Sequence, residues 1–349
     1  MSKPNQVRSA LFEKPDFIPM TFVINDSCWK SYDQNQLCDL IESHPFLFPD
    51  FKRPALPYTP DYALVARKDA PYTDDFGCVW QTTIDGITGC VVKHPLSDLD
   101  VLPSYRWPDP DKCMGIGPID WNSEKVRLEG LRKEGKFAPA GLRHGHTFLQ
   151  LCDLHGYEDL LCDMVDEDDR LWPMIEGLES FNQAIVDHYL DIGVDQMSYA
   201  EDLGMQVGPM ISPDLFRKYI KPSYSRLMKK ARDKGVLIHM HSDGDIRTLV
   251  SDLVEGGVQV INLQDKVNGI DWIADHFAHR TCVELDIDRQ DTTLNGTPAQ
   301  IDEMIADDVK RLSSPDGGLW MIYGLYPQIP IENARALMDA MTRYAFFWS

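Results

Sequence analysis

The sequence predicts a single (β/α)8 barrel over residues 1–349, and three observations carry that prediction. Short apolar runs alternate with amphipathic stretches, which is the pattern of βα units around a parallel sheet. About eight such runs can be counted, which favours a closed barrel over an open doubly wound sheet. Several are entered through a glycine that follows a helix, as in Ile192-Gly193-Val194, Lys234-Gly235-Val236 and Gly256-Gly257-Val258. Glycine there permits the left-handed end of a helix just before the next strand begins. A chain of 349 residues is long enough for two domains, but α/β barrels often reach this length as one.

In chain order, the expected strands lie at 18–23, 62–66, 138–142, 195–200, 236–241, 258–263, 281–285 and 319–323. The helices are clearest in the second half. Ser212-Pro213-Asp214 supplies an N-cap with proline at the first helical position, and Pro222 interrupts that segment before a second amphipathic stretch to Arg232. Residues 243–255 and 298–312 read as helices too, the latter capped by Thr297. Residues 67–137 do not fit a βα repeat: they are rich in Pro, Asp, Gly and Trp and contain short alternating runs around Cys78 and Cys90. They read as a long insertion between strands two and three with a hairpin inside it, either a plain loop or a lid over the barrel mouth.

Composition excludes several classes. With 34 Lys plus Arg against 55 Asp plus Glu the formal charge is −21, and nucleic acid is not an expected partner of such a chain. The longest basic cluster, Lys229-Lys230-Ala231-Arg232, sits on an amphipathic helix and is followed at once by Asp233, as on a solvated face. No apolar run is long enough to span a membrane and the opening residues lack the apolar core of a secretory signal, so the expected location is the cytoplasm. Eight cysteines without a C-x-x-C pair fit reduced, mostly buried thiols.

Chemistry in this fold sits at the carboxyl ends of the strands. The residues following the expected strands form a polar ring: Asn25 and Asp26, Arg67, Arg143, His144 and His146, Glu201 and Asp202, His241 and Asp243, Gln264 and Asp265, Glu284, Asp286 and Asp288, and Tyr323. Such side chains are costly beside apolar strands unless paired, hydrated or bound to metal. The sharpest element is His239-Met240-His241-Ser242-Asp243. His239 reads either as a hydrogen-bonded core residue or as functional. His241, at the strand end, with Asp243 two residues on, offers nitrogen and oxygen donors, which Glu201 and Glu284 can complete as an open zinc site. Arg143-His144-Gly145-His146 is a second constellation: Arg143 and His144 as substrate-binding groups with acid–base help from His146, or loop residues paired to nearby carboxylates.

Several segments resemble the uroporphyrinogen decarboxylase superfamily. They are Val7-Arg8-Ser9-Ala10-Leu11 with Lys14-Pro15-Asp16-Phe17-Ile18-Pro19, then Ala200-Glu201-Asp202-Leu203-Gly204-Met205-Gln206, Ile211-Ser212-Pro213-Asp214, Ile220-Lys221-Pro222, His241-Ser242-Asp243-Gly244-Asp245 and Pro330-Ile331-Glu332-Asn333. The resemblance runs along nearly the whole chain and implies a single (β/α)8 barrel with one of two chemistries, porphyrinogen decarboxylation or zinc-assisted methyl transfer involving a corrinoid. The segment after the first strand, residues 20–29, contains none of the arginines that the decarboxylases carry there. Asp74-Asp75-Phe76-Gly77-Cys78-Val79-Trp80 and Trp107-Pro108-Asp109-Pro110 look instead like the methyltransferase branch.

Thiol-methylating members of that branch carry a His-x-Cys pair and a distant Cys as zinc ligands. Here only His241 matches; Asp243 stands at the first Cys position and Tyr323 at the second. A carboxylate and a phenol make a harder site, poorly suited to a zinc thiolate but able to polarise an ether or amine. The resemblance thus implies a methyltransferase or O-demethylase acting on a small methoxylated or methylated substrate. In it His241, Asp243 and Glu201 or Glu284 hold zinc, Tyr323 or His146 donates a proton, and Asn25 and Trp80 contact substrate. No D-x-H-x-x-G segment is present, so the corrinoid is expected on a separate partner protein, with a homodimer left open. A metal-independent decarboxylase or lyase using His241 and Asp243 as acid and base, and a non-catalytic binding protein, are the alternatives.

Overall fold

The computed structural model describes residues 3–349. Its strands are β1 (Met20–Ile24), β2 (Tyr72–Thr73), β3 (Val79–Gln81), β4 (Cys90–Lys93), β5 (Pro139–Gly141), β6 (Gln196–Ala200), β7 (Leu237–Ser242), β8 (Val260–Gln264), β9 (Cys282–Asp286) and β10 (Leu319–Leu325). Seven of them follow the order β1-β10-β9-β8-β7-β6-β5 in one sheet. β1–β10, β10–β9, β5–β6 and β6–β7 pair in parallel, with Met20 opposite Met321, Leu319 opposite Val283, Ala140 opposite Met197 and Ala200 opposite His241. Parallel neighbours need long crossovers. Helices supply them here: Leu171–Ile192 leads to β6, Lys221–Asp233 to β7, Val250–Glu255 to β8, Ile270–Phe277 to β9 and Pro298–Leu312 to β10.

Seven of the eight expected parallel strands are therefore present. The run at 62–66 is instead a single 3-10 turn, Leu64–Ala66. Its apolar character is real, since Val65 and Ala66 are buried. The carbonyls of Val65 and Ala66, however, accept the N–H groups of Gly89 (2.9 Å) and Gly86 (2.8 Å) instead of pairing with a sheet neighbour. A five-residue apolar run has no periodicity with which to tell these outcomes apart. The helix expected from residue 243 begins only at Val250, because Asp245 turns back to take the Arg247 N–H and guanidinium. Ser212 caps Pro213–Leu215, Pro222 lies in the first turn of Lys221–Asp233, and Thr297 with Gln300 forms a reciprocal capping box on Pro298–Leu312.

Packing divides the chain into two compact units. The first contains Pro71–Gln81 and Cys90–Asn262, the second Asn5–Ala70, Thr82–Gly89 and Leu263–Ser349. Within the first, β5, β6 and β7 lie side by side over Ile185, Leu227 and Met228, all buried, while β2, β3 and β4 form a small antiparallel sheet whose β3–β4 pair is the hairpin expected in residues 67–137. Within the second, β1, β10 and β9 lie side by side, the helix Ile331–Tyr344 with buried Leu337 and Met341 packs on β1, and the helix Pro298–Leu312 with buried Ile301 and Ile305 packs on that helix. All eight cysteines are free thiols and six are buried. No described helix is long and apolar enough to cross a membrane.

Candidate metal centre

Three consecutive strands of the first unit end side by side, and the loops that leave them carry the site. His241 is the fifth residue of β7 and faces Ala200, the last residue of β6. The ladder continues past the strand end, with Glu201 N–H donating to the His241 carbonyl (3.0 Å) and Gly145 N–H to the Ala200 carbonyl (2.9 Å). Asp202 and the loop after β5, which carries His144, are thereby drawn beside His241.

The loops after β6 and β7 then cross at two glycines. A Cβ on Gly204 would lie 2.5 Å from the Gly244 carbonyl carbon, and Gly244 itself has φ +80. No side chain fits at either point. The crossing is tied by Leu203 N–H to Ser242 Oγ (2.9 Å), Gly204 N–H to the Asp243 carbonyl (3.2 Å) and Asp245 N–H to the Met205 carbonyl (2.8 Å). Asp243 N–H donates to Asp202 Oδ1 (3.0 Å), which fixes that carboxylate.

Asp202 Oδ1 lies 3.3 Å from His144 Nε2 and 3.5 Å from His241 Nε2, and Asp243 Oδ1 is 3.7 Å from the same His241 nitrogen. One donor atom from each of His144, Asp202 and His241 lies within 4.8 Å of the others. Tetrahedral zinc with bonds of about 2.0–2.1 Å has ligand–ligand edges of roughly 3.3–3.4 Å. The Asp202 edges match that figure, so the donors present fit a divalent ion of the zinc type. His241 Nδ1 is hydrogen-bonded to Asn262 Oδ1, an outer partner of the kind that would leave Nε2 as the ligating atom if a metal were bound. Without metal, burial lowers the His241 pKa, but the Asp202 hydrogen bond and the charges of Asp243 and Asp202 outweigh it and raise it to about 9. Burial pushes Asp202 up, yet hydrogen bonds from His144 and His241 hold it well below the usual carboxylate range.

The other residues picked out by the sequence have different surroundings. Glu201 is fully buried and turned away from the imidazoles. Its carboxylate accepts Phe148 N–H (2.8 Å), Leu149 N–H (3.2 Å), Thr147 N–H (3.2 Å) and Tyr224 O–H (2.5 Å), and burial raises its pKa to about 7. His146 is fully buried against Tyr224 and Tyr199, with Nδ1 on Thr147 Oγ1 (2.6 Å). Burial, helped by the charges of His144 and Arg143, lowers its pKa to about 3 and keeps it neutral. The Arg143 guanidinium lies over the Trp80 ring (5.7 Å), bonds Gln150 and is 3.4 Å from Asp153. Trp80 donates its indole N–H to Asp74 (2.8 Å). His239 is buried with Nδ1 at 2.8 Å from Ser198 Oγ.

Asn25, Glu284 and Tyr323 belong to the second unit. Asn25 Oδ1 accepts the Ser27 N–H (2.9 Å) in the turn after β1. Glu284 is buried on β9, opposite Trp320. Tyr323 is fully buried on β10 and donates to Thr293 Oγ1 (3.2 Å), and burial pushes its pKa up to about 12. Sequence reasoning placed His144 with the substrate-binding groups instead of the metal set, and it gave no role at the metal to two further residues, the donor Asp202 and the outer partner Asn262. The first was masked by its neighbour Glu201. The second was visible as a polar residue set between apolar neighbours inside β8, Val260-Ile261-Asn262-Leu263.

Fold and donor set together define an α/β protein whose strand ends present a site able to hold a divalent metal ion. The profile of the uroporphyrinogen decarboxylase (URO-D) family matches residues 145–344, more than half of the chain, and the chain belongs to that family. Over 158 residues it is 24% identical to the methylcobamide:CoM methyltransferase MtaA of Methanosarcina barkeri, a match covering 44% of this chain and 43% of that protein. The chain therefore spans less than half the length of this curated relative. A methyltransferase from Methanosarcina mazei shares the fold, with a TM-score of 0.66, 16% identity, and coverage of 98% of this chain and 99% of that one.

Proposed function

We propose that this member of the family is a methyltransferase that takes a methyl group from a small methoxylated or methylated molecule and passes it to a corrinoid carried by a separate protein. The observation that carries the proposal is the convergence of His144, Asp202 and His241, with Asp243 beside them, at the ends of adjacent parallel strands. The likeness to two methyltransferases supports the reaction class. A zinc ion bound there supplies a Lewis acid at the oxygen or nitrogen that the methyl group leaves. The chain's own groups set the conditions for it: Asn262 fixes the His241 tautomer, and Asp202 holds both imidazoles in reach of one point. Imidazole and carboxylate donors are harder than thiolates, which favours an oxygen- or nitrogen-linked methyl over a thiol.

Protein purified without added metal should carry about one equivalent of zinc or a similar ion, and less than about a tenth of an equivalent would sink the metal centre. His241→Ala should lose metal and methyl transfer together. One observation favours a second reading, a metal-independent lyase or decarboxylase: His241 Nε2 lies 3.5 Å from Asp202 Oδ1 and 3.7 Å from Asp243 Oδ1, an imidazole–carboxylate arrangement suited to passing a proton when no metal is bound. Turnover that survives full metal removal but not His241→Ala would select that reading.

A further inference from the structure

We propose that Glu201 is a positioning residue whose task is to set His144, the donor carried by the loop after β5. The inference rests on the metal-site reading above and deepens it. His241 is held by β7 and Asn262, and Asp202 by the Asp243 N–H, but His144 is half exposed and lies on the connection between β5 and the helix Phe148–His155. That connection is pinned on both sides. Upstream, the Arg143 Nε–H donates to the His144 carbonyl (3.1 Å), while the guanidinium is anchored on Gln150, Asp153 and the Trp80 ring. Downstream, the Glu201 carboxylate collects three successive N–H groups, those of Thr147, Phe148 and Leu149, and the Tyr224 hydroxyl donates to its Oε2.

Glu201 precedes Asp202 in the chain, so one dipeptide at the end of β6 does two things. Asp202 faces the imidazoles, and Glu201 reaches the other way to hold the segment on which the third donor hangs. Gly145, with φ +73 and its N–H on the Ala200 carbonyl, makes the bend between them. A glutamine at 201 keeps the shape but turns an amide donor toward N–H groups that need an acceptor, so the loop must move and His144 with it.

The test is a double-mutant cycle on zinc affinity of the full chain, measured by competition with a chromogenic chelator for wild type, Glu201→Gln, His144→Ala and the double variant. Glu201→Gln should weaken zinc by about ten- to a hundredfold, the usual cost of losing an outer-shell partner, and should cost nothing further once His144 is gone. Tyr224→Phe, which removes one donor from Glu201 without changing shape, should give a smaller loss in the same direction and covers the case in which Glu201→Gln does not fold. Equal losses in the wild-type and His144→Ala backgrounds, or a loss below about twofold in both Glu201→Gln and Tyr224→Phe, overturn the proposal. If wild type binds no zinc, the metal reading fails separately, and the imidazole NMR signals decide: Glu201→Gln or Tyr224→Phe must displace those of His144 and spare those of His241. Unmoved His144 signals overturn the positioning role.

Discussion

Replacing Asp202 by asparagine removes one negative charge from the point that two imidazoles face, and the consequence for His241 can be worked from the geometry. In the metal-free protein the His241 pKa is raised from 6.5 to about 9 against the opposing effect of burial, with the Asp202 hydrogen bond the largest favourable cause and the charges of Asp243 and Asp202 next. At about 1.4 kcal/mol per tenfold change, that difference is roughly 3 kcal/mol of preference for the imidazolium. Since the folded pKa lies above the unfolded one, this stabilisation is fully present below about 6.5 and is lost as pH rises through about 9. In Asp202→Asn, Asp243 remains 3.7 Å from Nε2, but burial then dominates, and the His241 pKa should fall to its ordinary value or below. Two measurements on metal-free protein check this: NMR titration of the histidine ring signals, and urea unfolding from pH 6 to 10. Wild type should lose stability between about pH 7 and 9, and the variant should show a much flatter profile. A His241 signal that still titrates near 9 in Asp202→Asn would refute the assignment of that shift to Asp202, and with it the idea that this carboxylate organises the site.

Two more outcomes follow from packing. Gly204→Ala puts a Cβ 2.5 Å from the Gly244 carbonyl carbon and 2.6 Å from Asp245 N, backbone atoms with nowhere to go. It should cost about 1–3 kcal/mol in urea unfolding and weaken metal binding as the Asp202 and Asp243 loops part, whereas wild-type values in both assays would show that the crossing is slack. A thiol reagent should modify only Cys90 and Cys162 in the native protein and all eight cysteines after unfolding; native labelling of Cys78 or Cys152 would contradict their burial.

Most of the sheet was legible because its strands are buried parallel runs with glycine or capping signals at their borders. The exception, 62–66, shows the limit of that signal: a short apolar run reports burial, while a strand also needs a neighbour to receive its N–H and C=O groups, and here Gly86 and Gly89 take that place. In the site, His241 was legible from its strand-end position and His144 from its cluster, though that cluster suggested substrate binding. Glu201 and Asp202 were not separable. At the end of a strand the alternation of faces stops, and which carboxylate turns to the imidazoles is decided by Tyr224 and by three N–H groups 52–54 residues away in sequence. Arg143 read either as a substrate-binding group or as a partner of nearby carboxylates, and Gln150 and Asp153, about one turn apart on the helix Phe148–His155, meet its guanidinium.

The crossing of Gly204 and Gly244 separates the frame of the site from its chemistry. The paths of the two loops are set by main-chain atoms in contact, so the side chains at 202 and 243 hang from a fixed bracket like interchangeable fittings. Exchanging the side chain at position 243 for another donor therefore leaves the main-chain path at these strand ends in place. What must stay without a side chain across such exchanges is the pair of glycines, which themselves offer no donor.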